Sequence, residues 1–148
     1  MRLKITVSSF AFVAFVACNS PAGPADASFK AATFTEQVSH GQELYGMHCA
    51  KCHGDSGEGS DDAPRVVGLK EGALPTDPPA DRKARKTRFV TVANVADFVV
   101  ANMPPKKAGT LTTEQYLAIL AFDLKANGID LGRDKLTLEK AASLTIPR

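Results

Sequence analysis

Two thiols and an imidazole stand together at Cys49-Ala50-Lys51-Cys52-His53. Residues three and four apart share one face of a helical turn, so Cys49, Cys52 and His53 project to the same side. The spacing C-x-x-C-H is that of covalent haem attachment. In that chemistry each thiol adds to a porphyrin vinyl group as a thioether, and the imidazole meets the iron. Half a zinc site and a thioredoxin-like redox pair are the competing uses of two such cysteines. Zinc asks for about four nitrogen or sulfur ligands. Beyond this stretch the chain offers only Cys18, His40 and His48.

An electron-transfer haem with both axial positions filled needs a second ligand, opposite His53. Met1 leaves with an export signal. Met47 and His48 sit too close to the cysteines to reach around the ring. His40 lies about two turns up the same helix, and at 1.5 Å rise per residue that is well past the porphyrin edge. Met103 is distant in sequence and beside a rigid proline, so elimination leaves it as the sixth ligand. The plain alternative is that Met103 packs as ordinary core.

The elements that must hold these groups read as helices. Thr33 and Glu36 fit a capping box, and Val38, Gly41, Leu44, Tyr45 and His48 follow at helical spacing. This helix runs from Phe34 into the cysteine motif, and Gly54, Gly57 and Gly59 end it. Residues 54–88 read as loop, with four prolines and a basic cluster at Arg82, Lys83, Arg85, Lys86 and Arg88. Such a cluster serves either as a solvated face or as a docking patch for an acidic partner. A second helix is expected over 92–102, capped by Thr91 and stopped at Met103-Pro104-Pro105. A third is expected over 113–127, with Thr112 and Gln115 as a capping box and Gly128 as the C-terminal cap. Residues 129–148 carry scattered leucines without a period, which leaves wrapping and fraying both open.

The N-terminus reads as an export signal. Arg2 and Lys4 precede an uncharged apolar run from Ile5 to Ala17, too short for a permanent membrane span. Phe15-Val16-Ala17-Cys18 resembles a bacterial lipobox, which predicts cleavage before Cys18 and a diacylglycerol on its thiol. The alternative is ordinary cleavage at Ala25-Asp26-Ala27. The expected organisation is a signal over 1–17, a lipidated tether over 18–32, a haem domain over 33–128 and a tail over 129–148. The three cysteines are then all used, one by lipid and two by haem. The formal charge of +2 disappears with Arg2 and Lys4, leaving 16 basic and 16 acidic side chains. A neutral domain gives no reason to expect nucleic acid as a partner.

With these features in place the chain resembles class I cytochrome c over about 34–128. Gly41 and Tyr45 stand where that family keeps a small and an aromatic residue for a close crossing of its first and last helices. Ile119 and Phe122 match the partners on the last helix. Pro64-Arg65-Val66-Val67-Gly68 looks like the family's Pro-x-apolar-x-Gly element, whose proline carbonyl accepts a hydrogen bond from the haem histidine. The resemblance implies an all-α fold of three main helices around one covalent haem c. Two features depart from it: the charged loop over 69–88 is longer than in the smallest members, and no Trp is present for a haem propionate. Arg65 and Arg88 are left as candidates for that role. The stretch from Met103 to Gly128 and the tail look like small cytochromes that accompany quinoprotein and sugar or alcohol dehydrogenases.

The expected function is therefore single-electron transfer, without catalysis, on the bacterial periplasmic side. The expected partners are a terminal oxidase or a quinoprotein dehydrogenase, and the expected state is a membrane-anchored monomer. Lys51, Lys106 and Lys107 would ring the haem edge and steer acidic partners, or serve solubility alone. The rival is a haem enzyme or gas sensor with a displaceable Met103. No spare histidine supplies the distal acid–base group that such an enzyme needs.

Overall fold

Helices rather than strands organise the chain, as its 3.6-residue periodicities require. The computed structural model describes residues 28–80 and 85–148. The expectations for the signal and for Cys18 lie outside the described residues, as do Arg82 and Lys83. The element order is α1 (Phe34–His48), α2 (Ala50–His53), α3 (Val92–Asn102), α4 (Thr113–Ala126) and α5 (Leu138–Ser143), with a 3-10 turn at Leu69–Glu71. One isolated antiparallel bridge joins Thr91 to Thr145.

The helix starts follow the capping residues. The Thr33 side chain accepts from Glu36 N at 3.2 Å, while the Glu36 carboxylate takes the Ala32 N–H rather than that of Thr33. Complete capping boxes open α3 at Thr91 and Asn94, and α4 at Thr112 and Gln115. At the end of α4, Gly128 is left-handed at φ +81°. The Ile129 and Gly128 amides return to Leu124 and Lys125, the two bonds of a Schellman stop.

The pair α1 and α4 makes the most extensive helix contact in the fold. An ideal Cβ on Gly41 would lie 1.9 Å from the carbonyl oxygen of Ala118, so only glycine allows this crossing. Leu44 and Tyr45 from α1 bury against Ala118 and Ile119 from α4. The Tyr45 and Phe122 rings meet with centroids 5.0 Å apart. Every residue from Gln115 to Ala121 is buried, so α4 is wrapped nearly all round rather than along the single stripe its sequence suggests. Its other faces join a larger core with Phe34, Phe89, Val92 and Val95.

The tail wraps. Leu136, Ala141 and Ile146 enter the larger core, and α5 packs on α3. Gln37 is buried on α1 and pairs with both main-chain groups of Leu136: Nε2 donates to the carbonyl at 3.0 Å and Oε1 accepts the amide at 2.7 Å. The residues just before α1 are also engaged, since Phe29 packs on the His40 ring at 4.4 Å between centroids.

Candidate functional site

The cysteine motif sits where α1 stops. Cys49 leaves helical geometry at φ −122° and its amide still donates to Tyr45 O at 2.8 Å. It then opens α2, accepting from the Cys52 and His53 amides at 3.1 and 2.9 Å. Both thiols are free of disulfide and half-buried. Burial, reinforced by the nearby Asp123 and Cys52 charges, pushes the Cys49 thiol up to about 12. A thiol held protonated does not suit a redox nucleophile. Among the described residues no three His, Cys, Asp or Glu side chains converge as a metal-binding group. A thioether leaves no charge to bury, so the donor set fits covalent haem better than zinc.

His53 Nδ1 lies 2.7 Å from the Pro64 carbonyl oxygen. A carbonyl only accepts, so the ring proton is on Nδ1 and Nε2 keeps its lone pair free. The loop after the motif is wound to make this contact. Gly59 N donates to His53 O at 2.7 Å, Ser60 Oγ donates to Cys52 O at 2.5 Å, and the Val66 and Val67 amides both donate to Gly57 O. Gly59 has φ +87°, and a Cβ there would sit 2.6 Å from Arg65 N. Tyr45 Oη closes the start of the loop by donating to Gly54 O at 2.9 Å. Burial and the neighbouring Asp123 charge raise the Tyr45 phenol well above its ordinary value, so it remains a donor.

Met103 is half-buried at the C-terminal end of α3, where its amide donates to Val99 O at 2.8 Å. Its carbonyl accepts from Tyr116 Oη at 2.8 Å, and that hydroxyl oxygen in turn accepts from Gly109 N at 3.0 Å. At the other end of α4, Asn127 Oδ1 accepts from Gly68 N at 2.8 Å and Nδ2 donates to Val66 O at 2.9 Å. Sequence reading missed both Tyr116 and Asn127. Each looked like part of a helix face or a helix stop, and nothing local announces a partner far along the chain.

Apolar surface remains to be covered between these two segments. Val66, Leu69, Leu74, Phe98, Val99 and Phe122 are only half-buried although each packs against a core cluster. Such a set along the loop and the end of α3 fits a large apolar cofactor lying there. Asp123 was also missed, although a carboxylate between Phe122 and Leu124 breaks the apolar face. Its Oδ1 is buried with no hydrogen-bond partner among the described residues. Burial pushes its carboxyl up to about 8.

The remaining candidates separate from the site. Lys51, Lys106 and Lys107 are exposed. Within the basic cluster Arg85 is no surface charge: it is 6% exposed. It donates to the carbonyls of Thr76, Thr87 and Asp77 and lies 4.0 Å over the Phe89 ring. Arg88 pairs with Asp77 at 2.8 Å. His40 lies in a groove of about 490 Å³ with Phe29, Leu117 and Leu136, at the α1 end away from the cysteines. Met47 is exposed.

Residues 36–122 match the family model described as cytochrome c oxidase, cbb3-type, subunit III. The chain belongs to the cytochrome c family. A solved structure, the sulfane dehydrogenase SoxCD from Paracoccus pantotrophus, is similar at 30% identity and a TM-score of 0.56. That match covers 74% of this chain and 53% of the other, so this chain spans about half its length. No curated protein matches the chain. The family carries covalent haem c and performs haem-based electron transfer, and its domains work outside the cytoplasm. The all-α fold agrees with it. No helix among the described residues of this cytochrome is long and apolar enough to cross a membrane.

Proposed function

We propose that this cytochrome is a non-enzymatic single-electron carrier in which Cys49 and Cys52 would hold one haem c and His53 and Met103 would ligate its iron. The observation that carries the reading is the His53–Pro64 contact, which engages Nδ1 and leaves Nε2 available to a Lewis acid. Bound there, the haem supplies an iron that cycles between the ferrous and ferric states. The chain's residues do the rest. Pro64 fixes the tautomer of His53 and raises its basicity. The thioether of Met103 is a soft ligand that favours ferrous iron. Apolar side chains from the loop and α3 exclude water, which further disfavours the extra ferric charge. Two thioethers prevent loss of the cofactor in an extracytoplasmic setting.

The same proposal extends to setting and partners. Cys18 carries a lipid, and the tether holds the domain near a membrane on the periplasmic side. The two resemblances, to an oxidase subunit and to a sulfane dehydrogenase, support a redox protein as the partner; a terminal oxidase and a quinoprotein dehydrogenase are the kinds proposed. Exposed Lys51, Lys106 and Lys107 suit small, weak encounters with acidic faces.

The test is spectroscopic. Denatured wild-type protein should give a pyridine haemochrome of one haem per chain with two thioethers. The folded ferric protein should show a far-red sulfur-to-iron band and the ferrous protein should not react with carbon monoxide. Met103→Ala should keep the haem, lose that band and bind carbon monoxide. A haemochrome-negative protein, or a Met103→Ala spectrum equal to the wild type, ends the corresponding part of the proposal.

A further inference from the structure

The structure assigns to α4 a role that its helix-crossing face does not explain: Tyr116 and Asn127 are positioning residues for the two axial ligands, one for each face of the haem. The inference rests on the ligand reading above and deepens it. Tyr116 is near the first turn of α4 and Asn127 caps its last. They stand eleven residues apart, about 16 Å along a helix.

Tyr116 ties down the methionine side. Its hydroxyl donates to Met103 O and accepts from Gly109 N, so one buried phenol spans both ends of the segment after α3. A ligand at the start of a loop is only as fixed as the loop. With its carbonyl held at 2.8 Å by a group that is 3% exposed, the Met103 backbone is fixed at the point from which its sulfur would ligate iron.

Asn127 ties down the histidine side. The Pro64 carbonyl that orients His53 belongs to a segment whose Val66 and Val67 amides rest on Gly57 O and whose Val66 O and Gly68 N are both held by Asn127. Its Nδ2 also donates to Asp123 O at 2.9 Å, which fixes the amide's own orientation against α4. A main-chain segment grasped at two points two residues apart keeps the intervening peptides, and the proline just before them, in register with the imidazole. Neither residue needs to touch the porphyrin. A side chain acting through another residue's backbone gains precision because the helix beneath it is buried and stiff.

Two readouts separate the two faces. Binding of free imidazole to ferric holoprotein reports how readily sulfur is displaced. Exchange of the His53 Nδ1 proton, followed by NMR in ferrous holoprotein, reports the Pro64 bond. Tyr116→Phe should tighten imidazole binding about fivefold, the equivalent of one ordinary hydrogen bond, and leave the Nδ1 exchange unchanged. Asn127→Ala should speed the Nδ1 exchange by about as much and leave imidazole affinity unchanged. Asn127→Asp keeps the acceptor for Gly68 N but loses the donor to Val66 O and Asp123 O and sets a carboxylate against both carbonyls, so it too should speed the Nδ1 exchange. It also serves if the alanine variant does not fold. A variant that moves both readouts, or neither, overturns its assignment. Met103→Ala tells this failure from failure of the ligand reading. If it binds imidazole no more tightly than the wild type, Met103 is not the ligand. If it binds far more tightly while Tyr116→Phe does not, only the positioning role is lost.

Discussion

Replacing Gly41 by Ala should be among the most damaging single-methyl additions this chain can receive. The new Cβ would sit 1.9 Å from Ala118 O and 2.5 Å from its carbonyl carbon. A carbon and a carbonyl oxygen do not approach closer than about 3.0 Å, so α1 and α4 must part by more than 1 Å. Neither obstacle can rotate away, because both belong to helix backbone. A gap of that size forfeits a quarter to a half of the dispersion attraction across it. Overpacking of this kind typically costs about 1–3 kcal/mol and more where backbone is the obstacle. Leu44 and Tyr45 lie one turn further along the same crossing and lose contact with it. Against this, alanine returns about 1 kcal/mol of helix propensity. A net loss of about 2 kcal/mol is expected, which for a domain of this size lowers the melting temperature by about 7 °C. Gly46 on the same helix supplies the control, because a Cβ there meets no atom within 4 Å. Gly46→Ala should instead stabilise by about 0.5–1 kcal/mol. The assay is thermal unfolding of ferric holoprotein by far-ultraviolet circular dichroism, with both variants beside the wild type. Opposite signs are required. A Gly41→Ala protein melting within about 3 °C of the wild type, or two variants shifted alike, would refute the crossing geometry.

Two further outcomes follow from buried and lipid-bearing groups. Burial holds the Asp123 carboxyl at about 8, against 3.8 for a free aspartate. Between these pH values the folded chain keeps a proton that the unfolded chain has released. Stability should therefore fall as pH rises through this window, and the loss is complete above it. The ceiling on that loss is about 6 kcal/mol. Guanidine midpoints at the two ends of the window should differ for the wild type and converge for Asp123→Asn; an undiminished difference in the variant would assign the slope to other groups. Cys18→Ala should move the protein from the membrane fraction to the soluble fraction of its host, and continued sedimentation with membranes would remove the lipid assignment.

What the sequence displayed, and what it hid, divides by distance along the chain. The helix starts were legible because Thr33, Thr91 and Thr112 act on amides three residues away. The end of α4 was legible because Gly128 acts on the turn it terminates. The attachment motif was legible because its members share one turn. The contacts that hold the site span the chain instead. Asn127 reaches Gly68 and Val66 across 59 and 61 residues. Gln37 reaches Leu136 across 99. A polar side chain next to a helix stop or on a helix face has many local uses, so its sequence neighbours do not point to a distant backbone. The tail was illegible for a related reason. It buries isolated residues along an irregular path, and Leu136, Ala141 and Ile146 recur every five residues, a spacing that belongs to neither a helix nor a strand. Arg85 was misjudged by company: set among other basic residues it looked like solvated charge. Burial lowers its guanidinium from the ordinary value, and three loop carbonyls and an aromatic face take up its donors and charge.

These long-range contacts share a design. Gln37, Tyr116 and Asn127 are neutral side chains, each joined by two hydrogen bonds to a remote main chain. A neutral amide or phenol can be buried with its bonds satisfied at little cost, whereas a buried ion pair must first overcome desolvation. The ion pairs among the described residues agree: Arg88–Asp77, Lys125–Asp130 and Lys140–Asp134 all lie at the surface. For an electron carrier the distinction matters beyond stability. A fixed charge beside the site would favour one oxidation state by Coulomb energy, strongly so where water is excluded. On the ligand reading proposed above, neutral ties would hold the Met103 and Pro64 segments equally well in both states. They leave the choice between oxidation states to the ligands, the apolar lining and any carboxyl, such as Asp123, that can take up a proton.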